Sequence, residues 1–584
     1  MRFAGFIGPS YTLQSVNVDC QRCINLYPEM DELGTGHEGE VASLVGTPGL
    51  RPLCTLPTGP IRGEYTDSTG QLWAVGGNTV YHVNNLWQAT PIGTLNTSSG
   101  PVSMADNGSE VVLVDGPYGY SWTINFSLNN LPPQYQSTTT DGGTTTLTAD
   151  NEFQQYFVGT ESQTIVLPVV STLDEGVVFN VVNLSSGTIT IQTSGLDQLA
   201  TVSPGTQMAL TCVNNQGDAN VDSWSFTSSP ISLNTFYQIQ DPNFLGSDQV
   251  SFMDGYFIFN KPNSQEVYNS PLEAVLPFDA TNVDQVQAQP ENVVGHIELQ
   301  EYLYFFSKNH FEVWYDDAGT SFPFTRVQGS VSEFGCVAAF SIAKIQNTIF
   351  WLGQDSTGRG IVYSAQGLLP QRISTLAIEN EIAQLGDISS ARAWTYSQAG
   401  HAFYCLNLPG DTTTWVFDVT TNLWHERAYL SQGQYQRHLA DCHAFAYSTN
   451  VVGDYSSGNL YALDPTVFMD NGRAILRERA SPHLSKDLNR IFHSAFQLDI
   501  EAGVGTTGTN QGNNPQVMLQ WSNDAGHSWS NEHWTSIGAI GKRLTRAIWR
   551  RLGQARDRVY RVRISDPVKV TLLGAEIDIE LGSS

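Results

Sequence analysis

Short runs in which apolar or aromatic residues alternate with polar ones recur along most of the chain, and tight polar turns separate them. A pair of such runs is typical of two antiparallel strands in a hairpin, because successive strand side chains point to opposite faces. The later pairs return about every 40 to 50 residues, the spacing of propeller blades. We therefore predict a β-propeller of about six blades over residues 55–470, interrupted once. The pairs span residues 71–83, 110–123, 254–268, 301–315, 348–363, 401–417 and 443–463.

The interruption covers residues 137–228. It begins with the Thr- and Gly-rich stretch STTTDGGTTTLT and continues with alternating apolar and polar residues. Ser-Ser-Gly and Pro-Gly turns separate the runs, which predicts pairs of short strands in a small β-sandwich. We expect this insert to fold on its own.

From about residue 481 the pattern changes again. Runs at 496–500, 516–522, 559–564 and 568–581 predict a second all-β domain. The fold class is thus all-β, a propeller with an inserted small β-sandwich and a C-terminal β domain. The predicted boundaries are 1–54 for an N-terminal arm and the start of the hub, 55–136 and 229–480 for the propeller, 137–228 for the insert, and 481–584 for the C-terminal domain with its Arg-rich segment.

The composition supports a turn-rich β protein, since charged residues make up only 14% of the chain and aromatic residues 11%. No run of about 18 apolar residues occurs, and residues 1–8 lack the apolar core of a signal peptide. We expect neither a signal peptide nor insertion into a membrane.

Basic and acidic residues are distributed unevenly along the sequence. No Lys or Arg lies between Gly63 and Asn260, whereas Lys542–Arg563 contains nine. Residues 1–470 hold 13 basic and 45 acidic residues, and residues 471–584 hold 15 and 11. Nucleic-acid affinity rests on Lys and Arg at the phosphates, so the acidic body repels a polyanion. The basic part suits DNA or an acidic protein surface, and charge alone leaves both open.

The basic cluster interleaves arginines with apolar residues. Arg pairs with carboxylates and stacks on aromatic rings, which suits a protein interface as well as a phosphate backbone. Contact with DNA and a solvated surface are the alternatives to a protein interface. We predict a subunit or adaptor interface formed by Arg543, Arg546, Trp549, Arg550, Arg551, Arg561 and Arg563.

Signals of enzymatic chemistry are nearly absent. Cys20 and Cys23 have the spacing of a metal or redox pair, but no second pair follows. Acidic pairs with the residue types of a glycosidase acid and base arise by chance among 56 carboxylates. We expect no catalytic residue, no metal site and no cofactor. The residues weighed for these roles, besides the two cysteines, are Asp316 with Asp317, Glu379 with Glu381, and His401, His425, His438 and His443.

One local motif matches a known sequence pattern closely. Ser522–Trp529 reads SNDAGHSW and resembles the Asp-box of sialidases and related propellers. In that hairpin turn the Asp caps backbone amides and the Trp packs beneath, so the motif is architectural. A sialidase also needs an Arg triad and several such boxes.

Three stretches in one order resemble the packaged-DNA stabilisation proteins of short-tailed phages. The resemblance covers both ends and, more weakly, the propeller, whereas residues 137–228 have no counterpart in the shorter family members. The stretches are SVNVDCQRCINLYPE at 15–29; GTPGL at 46–50 with IRG at 61–63 and VGGNTVY at 75–81; and WRRLG at 549–553 with YRVR at 560–563 and PVKVTL at 567–572.

The resemblance implies a structural protein of the virion's short tail, made in the host cytoplasm. Such proteins form the tail hub or nozzle ring below the head-to-tail connector, retain packaged DNA and conduct it during ejection. The implied partners are other copies in a homohexamer, the adaptor and portal, tail fibre or tailspike proteins, and tail needle or plug proteins. Double-stranded DNA would pass an acidic lumen without tight binding, because the wall offers no cations to the phosphates.

The alternative function is a carbohydrate-binding or glycan-cleaving propeller of a phage tail fibre. It predicts an aromatic-lined pocket with paired carboxylates, which a structural nozzle does not require.

Overall fold

The computed structural model describes residues 1–31, 41–124, 135–183, 185, 187–204, 206–216, 221–230, 236–319, 322–355, 357–487 and 489–582. These residues form two compact units, Met1–Ser121 with Tyr237–Ser584, and Trp122–Phe236. Strands dominate both, as predicted. No helix in the described ranges has the length and apolarity that a membrane crossing requires.

The larger unit contains a β-propeller, and its described residues form seven four-stranded antiparallel blades instead of about six. Two blades are assembled from segments far apart in sequence, which a count of regular spacing misses. Blade 2 takes its outer strand from beyond the insert, and blade 7 takes its outer strand from the N-terminal region.

The blades are numbered in chain order, each from its inner strand outward. Blade 1 comprises Ile61–Thr66, Leu72–Gly76, Thr79–Val83 and Ala89–Thr94; blade 2 Ser103–Asp106, Glu110–Val114, Gly119–Thr123 and Tyr237–Gln238; blade 3 Val250–Met253, Tyr256–Asn260, Glu266–Asn269 and Val283–Gln285; blade 4 Val293–Leu299, Tyr302–Ser307, Phe311–Asp316 and Phe324–Arg326. Blade 5 comprises Ala343–Ile345, Thr348–Gln354, Gly360–Gln366 and Leu369–Arg372; blade 6 Arg392–Gln398, His401–Asn407, Thr414–Asp418 and Leu423–Ser431; blade 7 Ala440–Ala446, Thr449–Asp454, Asn459–Asp464 and Gly49–Thr55.

The ring of blades closes at blade 7. Its third strand, Asn459–Asp464, pairs antiparallel with Gly49–Thr55, and its inner strand contacts the inner strand of blade 1. Hydrophobic clusters lie between neighbouring blades; Trp351 of blade 5, for example, packs on Phe306 and Phe311 of blade 4 at ring distances of 5.1 and 5.6 Å. Each blade thus buries its faces against its neighbours.

The N-terminal and C-terminal segments together build a β-sandwich. Its first sheet continues from blade 6, because Leu423–Ser431 pairs in parallel with Cys20–Ile24. The strands beyond it are Arg477–Ala480, Asp557–Ile564, Gln516–Ser522 and His533–Ser536, with Tyr11–Thr12, Gln434–Arg437 and Leu484–Ser485 at the edges. The second sheet contains Leu26–Met30, Val41–Gly46, Thr571–Leu581, Ile491–Ile500, Ala547–Arg550 and Gln554–Ala555.

The predicted N-terminal arm is therefore part of this sandwich. Asn25 turns the chain from the first sheet into the second with φ of 56°, a left-handed conformation that Asn tolerates better than most residues. Its buried amide donates to the carbonyl oxygens of Ala428 and Leu476, both at 2.9 Å. The first turn of the sandwich is thus fixed to the propeller.

Few other elements occur among the described residues of this unit. The α-helix Leu376–Gln384 connects blades 5 and 6, and the Thr375 side chain accepts the amide of Ile378 at its N-terminus. A 3-10 turn covers Ala339–Ser341, and the short strands Met469–Asp470 and Arg473–Ala474 extend blade 7.

The smaller unit, Trp122–Phe236, is a two-sheet sandwich over its own core, in which Phe157, Phe179, Ile191 and Leu210 are buried. The strand order differs from the predicted hairpins: the chain alternates between the sheets, and many neighbouring strands run parallel. One sheet contains Tyr135–Thr139, Gln154–Val158, Val178–Asn183, Thr206–Cys212 and Trp224–Pro230; the other contains Thr144–Thr146, Gln163–Val166, Ile189–Gln192 and Gln198–Val202, with 3-10 turns at Val170–Thr172 and Val221–Ser223.

Candidate interface surfaces

The Arg-rich segment is divided between the two sheets of the sandwich. Ala547–Arg550 lies in the second sheet and Asp557–Ile564 in the first. Strand alternation turns Trp549 inward and Arg550 outward, whereas Lys542, Arg543 and Arg546 lie before that strand and Arg551 directly after it. The predicted interface residues therefore fall into two groups.

The outward group is exposed and has no ion pair within the described residues. Arg551 has φ of 59°, and its amide donates to the Ser494 carbonyl oxygen of the partner strand Ile491–Ile500 at 2.9 Å. The structure thus holds an exposed cation in a conformation that L-residues rarely adopt. We name this group the basic edge: Lys542, Arg543, Arg546, Arg550 and Arg551.

Two exposed apolar side chains lie in the loop that carries Lys542 and Arg543. Leu544 is 96% exposed and Ile540 is 59% exposed. Their loop is held by backbone hydrogen bonds, from Lys542 N to Ala539 O at 2.9 Å and from Gly541 N to Gly503 O at 3.1 Å. A fixed loop that presents leucine beside unpaired cations has the character of a protein contact surface.

The inward group has intramolecular partners. Trp549 is buried in the sandwich core, and its Nε1 donates to the His533 carbonyl oxygen at 2.8 Å. Arg563 Nε lies 3.3 Å from a carboxylate oxygen of buried Glu478. Arg561 stacks on the Trp529 ring at 3.9 Å and donates to Gln520 Oε1. Trp549, Arg561 and Arg563 thus have partners within the subunit, whereas the other four predicted interface residues are exposed.

Arg479 holds the N-terminal segment in place, a role that sequence reasoning missed. It is fully buried and donates to the carbonyl oxygens of Gly5, Phe6 and Pro9 and to Gln21 Oε1. Burial lowers the pKa of its guanidinium to about 10. Nothing in the local sequence marks this arginine, because its acceptors are backbone carbonyls far away in the chain.

A cleft lies at the edge between blades 3 and 4. Tyr302 and Tyr315, 38% and 41% exposed, line it together with Val327 and three carboxylates. Its volume is about 430 Å³. The carboxylates come from two inter-strand turns and a strand end: Asp254, Glu301 and Asp316. We name this site the tyrosine cleft.

The carboxylates of the tyrosine cleft form no ion pair within the described part of the chain. Desolvation and the nearby charges of Asp316 and Glu301 raise the pKa of Asp254. The cleft combines aromatic rings with unpaired negative charge, a combination that attracts cations.

The other carboxylates weighed for catalysis lie in different environments. Glu379 is buried, and its oxygens accept from Arg372 Nε at 2.6 Å and Ser374 Oγ at 2.7 Å. Burial raises the pKa of neighbouring Glu381. Asp317 accepts a backbone amide in a surface turn.

The histidines and cysteines form no metal-binding group within the described residues. Burial lowers the pKa of His425 to about 3, and His401 Nδ1 lies 2.6 Å from a carboxylate oxygen of Asp418. Cys20 and Cys23 lie three apart in one strand, so their side chains point to opposite faces.

Cys20, His483 and Asp557 are arranged like a nucleophile, base and carboxylate. Cys20 Sγ lies 3.7 Å from His483 Nε2, and His483 Nδ1 lies 2.7 Å from Asp557 Oδ2. Burial raises the pKa of the Cys20 thiol to about 12, and the Val16 carbonyl oxygen occupies His483 Nε2 at 2.8 Å. The thiol is therefore not activated.

Ser522–Trp529 is a surface turn in which Asp524 accepts the Ser528 amide at 2.9 Å and the Ser522 hydroxyl at 2.6 Å. The hydroxyl hydrogen bonds are the main reason that the pKa of Asp524 falls to about 2. Trp529 packs against Arg561 of the same sheet. These contacts match the architectural role expected of an Asp-box.

Comparison with protein families gives two matches in the order of the domains. A family model described as bacteriophage P22 Gp10, beta-propeller, matches residues 169–468. A second, described as bacteriophage P22 Gp10, beta-sandwich, matches residues 476–580. The comparison with curated proteins gave no match.

Solved structures with similar folds include propellers of low identity. The Neurospora crassa Pan2 WD40 domain is 8% identical, with 72% of this chain and 95% of that chain covered and a TM-score of 0.36. KlHsv2 with loop 6CD replaced by a Gly-Ser linker is 8% identical, with 64% and 98% covered and a TM-score of 0.24. The Cps50 (Swd1) β-propeller domain of Myceliophteria thermophila is 6% identical, with 70% and 99% covered and a TM-score of 0.26. At these TM-scores the similarities carry no weight in the assignment.

Proposed function

The chain belongs to the bacteriophage P22 Gp10 family of phage tail structural proteins, and from this premise we propose that it forms the tail hub or nozzle ring of a short-tailed phage. In that place it lies below the head-to-tail connector, retains packaged DNA and conducts it during ejection. The observation that carries the proposal is the presence of both family domains, in order, along the chain.

The proposed assembly is a homohexameric ring that contacts the adaptor and portal on one side. Tail fibre or tailspike proteins and a tail needle or plug are the other proposed partners. The basic edge supports a protein contact, because its cations have no ion pair within the described residues of the subunit. Unpaired Arg beside an exposed leucine is suited to acidic and apolar partner surfaces.

The charge of the chain supports conduction of DNA without retention by the wall. The formal net charge is −28, and residues 64–260 contain no Lys or Arg. DNA that slides past such a surface meets no cations, so no ion pair with a phosphate adds to its affinity for the wall. Retention then falls to a plug or a constriction. We propose no catalytic activity for the chain.

The test uses phage particles assembled with and without the chain. Particles without it should fail to keep their genome, which is measured as DNA that resists nuclease after packaging. Particle imaging should show the chain as a ring at the tail position when it is present. Full nuclease resistance in particles without the chain would contradict the retention role.

A further inference from the structure

We propose that the tyrosine cleft of one copy binds an arginine of the basic edge of a second copy, so that neighbouring subunits meet head to tail. This inference rests on the proposed ring and adds its contact surfaces.

The chemistry of the cleft fits a guanidinium group. Arg stacks on aromatic faces and forms paired hydrogen bonds with carboxylates, and the cleft offers Tyr302 and Tyr315 beside three carboxylates that form no ion pair with any described residue. Like charges in close proximity destabilise the free subunit, and a bound cation removes that cost. The raised pKa of Asp254 reports this repulsion together with desolvation.

The chain already uses this type of contact within the subunit. Arg437 lies over the Tyr455 ring at 3.8 Å and donates to Asp441 at 2.9 Å. Arg561 lies over the Trp529 ring at 3.9 Å and 4.0 Å from a Glu478 oxygen. In both, one guanidinium meets an aromatic face and a carboxylate. The basic edge supplies arginines that lack such partners among the described residues.

The two surfaces lie on different parts of the subunit, which suits a head-to-tail contact between copies. The sandwich joins the propeller at blade 6, through the pairing of Cys20–Ile24 with Leu423–Ser431. The tyrosine cleft lies at blades 3 and 4, two and three blades along the ring from blade 6. No ion pair within the described residues joins the tyrosine cleft to the basic edge. Two different surfaces that bind each other generate a closed ring when the rotation between copies closes.

The test combines two variants. The edge variant carries Arg550→Glu with Arg551→Glu, and the cleft variant carries Glu301→Lys with Tyr302→Ala. All four side chains are exposed, so the fold should survive, which circular dichroism checks. Each variant alone should stay monomeric in native mass spectrometry, with self-association weakened about 100-fold or more. An equimolar mixture keeps one intact edge and one intact cleft, so it should give a 1:1 dimer and nothing larger.

The control variant carries Glu333→Lys with Asp499→Lys, two exposed carboxylates outside the cleft, and should assemble like the wild type. Assembly of the cleft variant at wild-type strength, or the absence of a dimer in the mixture, would overturn the inference and leave the proposed ring intact. A wild-type chain that stays monomeric even with its adaptor would overturn the ring itself and this contact with it. Saccharide binding that the cleft variant loses while its assembly stays intact would assign the cleft to a glycan instead; glucose, galactose and N-acetylglucosamine are the probes.

Discussion

Arg22 in the N-terminal segment forms a two-pronged ion pair with Glu426 on the outer strand of blade 6. Glu426 is buried and also accepts the Ser10 hydroxyl at 2.8 Å. Burial by itself lowers the pKa of Arg22, but the negative charge of Glu426 outweighs burial, so the pKa is raised. This pair lies where the propeller sheet passes into the sandwich. It connects two domains that the sequence presents as separate.

Replacing Arg22 by Ala should destabilise this junction, because it leaves the Glu426 carboxylate buried without its cation. We expect a loss of about 2–4 kcal/mol, since removing the cation from a buried carboxylate is costly, and the partial exposure of Arg22 moderates the loss. Urea unfolding, followed by tryptophan fluorescence, measures the change. The matched control is Arg51→Ala, which breaks an exposed pair with Asp464 and should cost under about 1 kcal/mol. Equal losses in both variants would contradict the assigned role.

Charge reversal at Arg550 and Arg551 should block assembly in the phage and leave the monomer folded. Both side chains are exposed and have no intramolecular ion pair within the described residues, so the fold does not depend on their charge. Tail completion on particles is the measurement. Reversal of exposed Lys486 and Arg490 to Glu is the control and should leave assembly unchanged. Normal tails with the Arg550 and Arg551 variant would remove the basic edge from the interface.

The insert should be removable. Ser121 pairs with Tyr237 on neighbouring strands of blade 2, so the chain leaves and re-enters the propeller side by side. Replacing residues 124–234 by Asn-Gly, which favours a two-residue hairpin turn, should leave a soluble propeller. Circular dichroism and gel filtration test this. Aggregation of the shortened chain would show that the insert is needed for the larger unit to fold.

The propeller should lose stability on acidification between about pH 6.5 and 4. His296 is buried, and burial lowers the pKa of its ring to about 4. The unfolded chain takes up a proton at higher pH than the folded chain, so stability is full above the unfolded pKa and falls as pH drops toward the folded pKa. The loss reaches about 3 kcal/mol.

Thermal unfolding from pH 7 to 4.5 measures this dependence. His296→Leu removes one of the buried histidines whose pKa burial lowers and should make the curve less steep, whereas His527→Leu, at an exposed position, should leave it unchanged. An unaltered slope in the His296 variant would show that another group controls the acid sensitivity.

The assembled protein should show no duplex DNA binding at about 0.15 M salt, because its cations are engaged in protein contacts and its body is acidic. Fluorescence anisotropy with a labelled duplex tests this. Tight, steeply salt-dependent binding that Ala at Arg546, Arg550 and Arg551 abolishes would place the basic edge in contact with DNA.

The sequence determined the all-β class, the propeller, the second β domain and the family. Strand alternation and turn residues are local properties, so hairpins such as 301–315 and the turn at Ser522–Trp529 can be recognised without the tertiary structure. The uneven distribution of basic and acidic residues along the chain is likewise a property of the sequence alone. It distinguishes the Arg-rich segment from the acidic remainder of the chain.

Only the tertiary structure decided how distant segments combine. The closure of blade 7 by Gly49–Thr55 and the parallel strands of the insert depend on long-range pairing, which local patterns do not encode. Alternate strand faces and burial separated exposed Arg550 from Arg561 and Arg563, which pair with Glu478 inside the subunit. The tyrosine cleft arises because turns of two blades meet at one edge. Proximity between segments distant in sequence, and not residue type, decides which charges stay free to bind a partner.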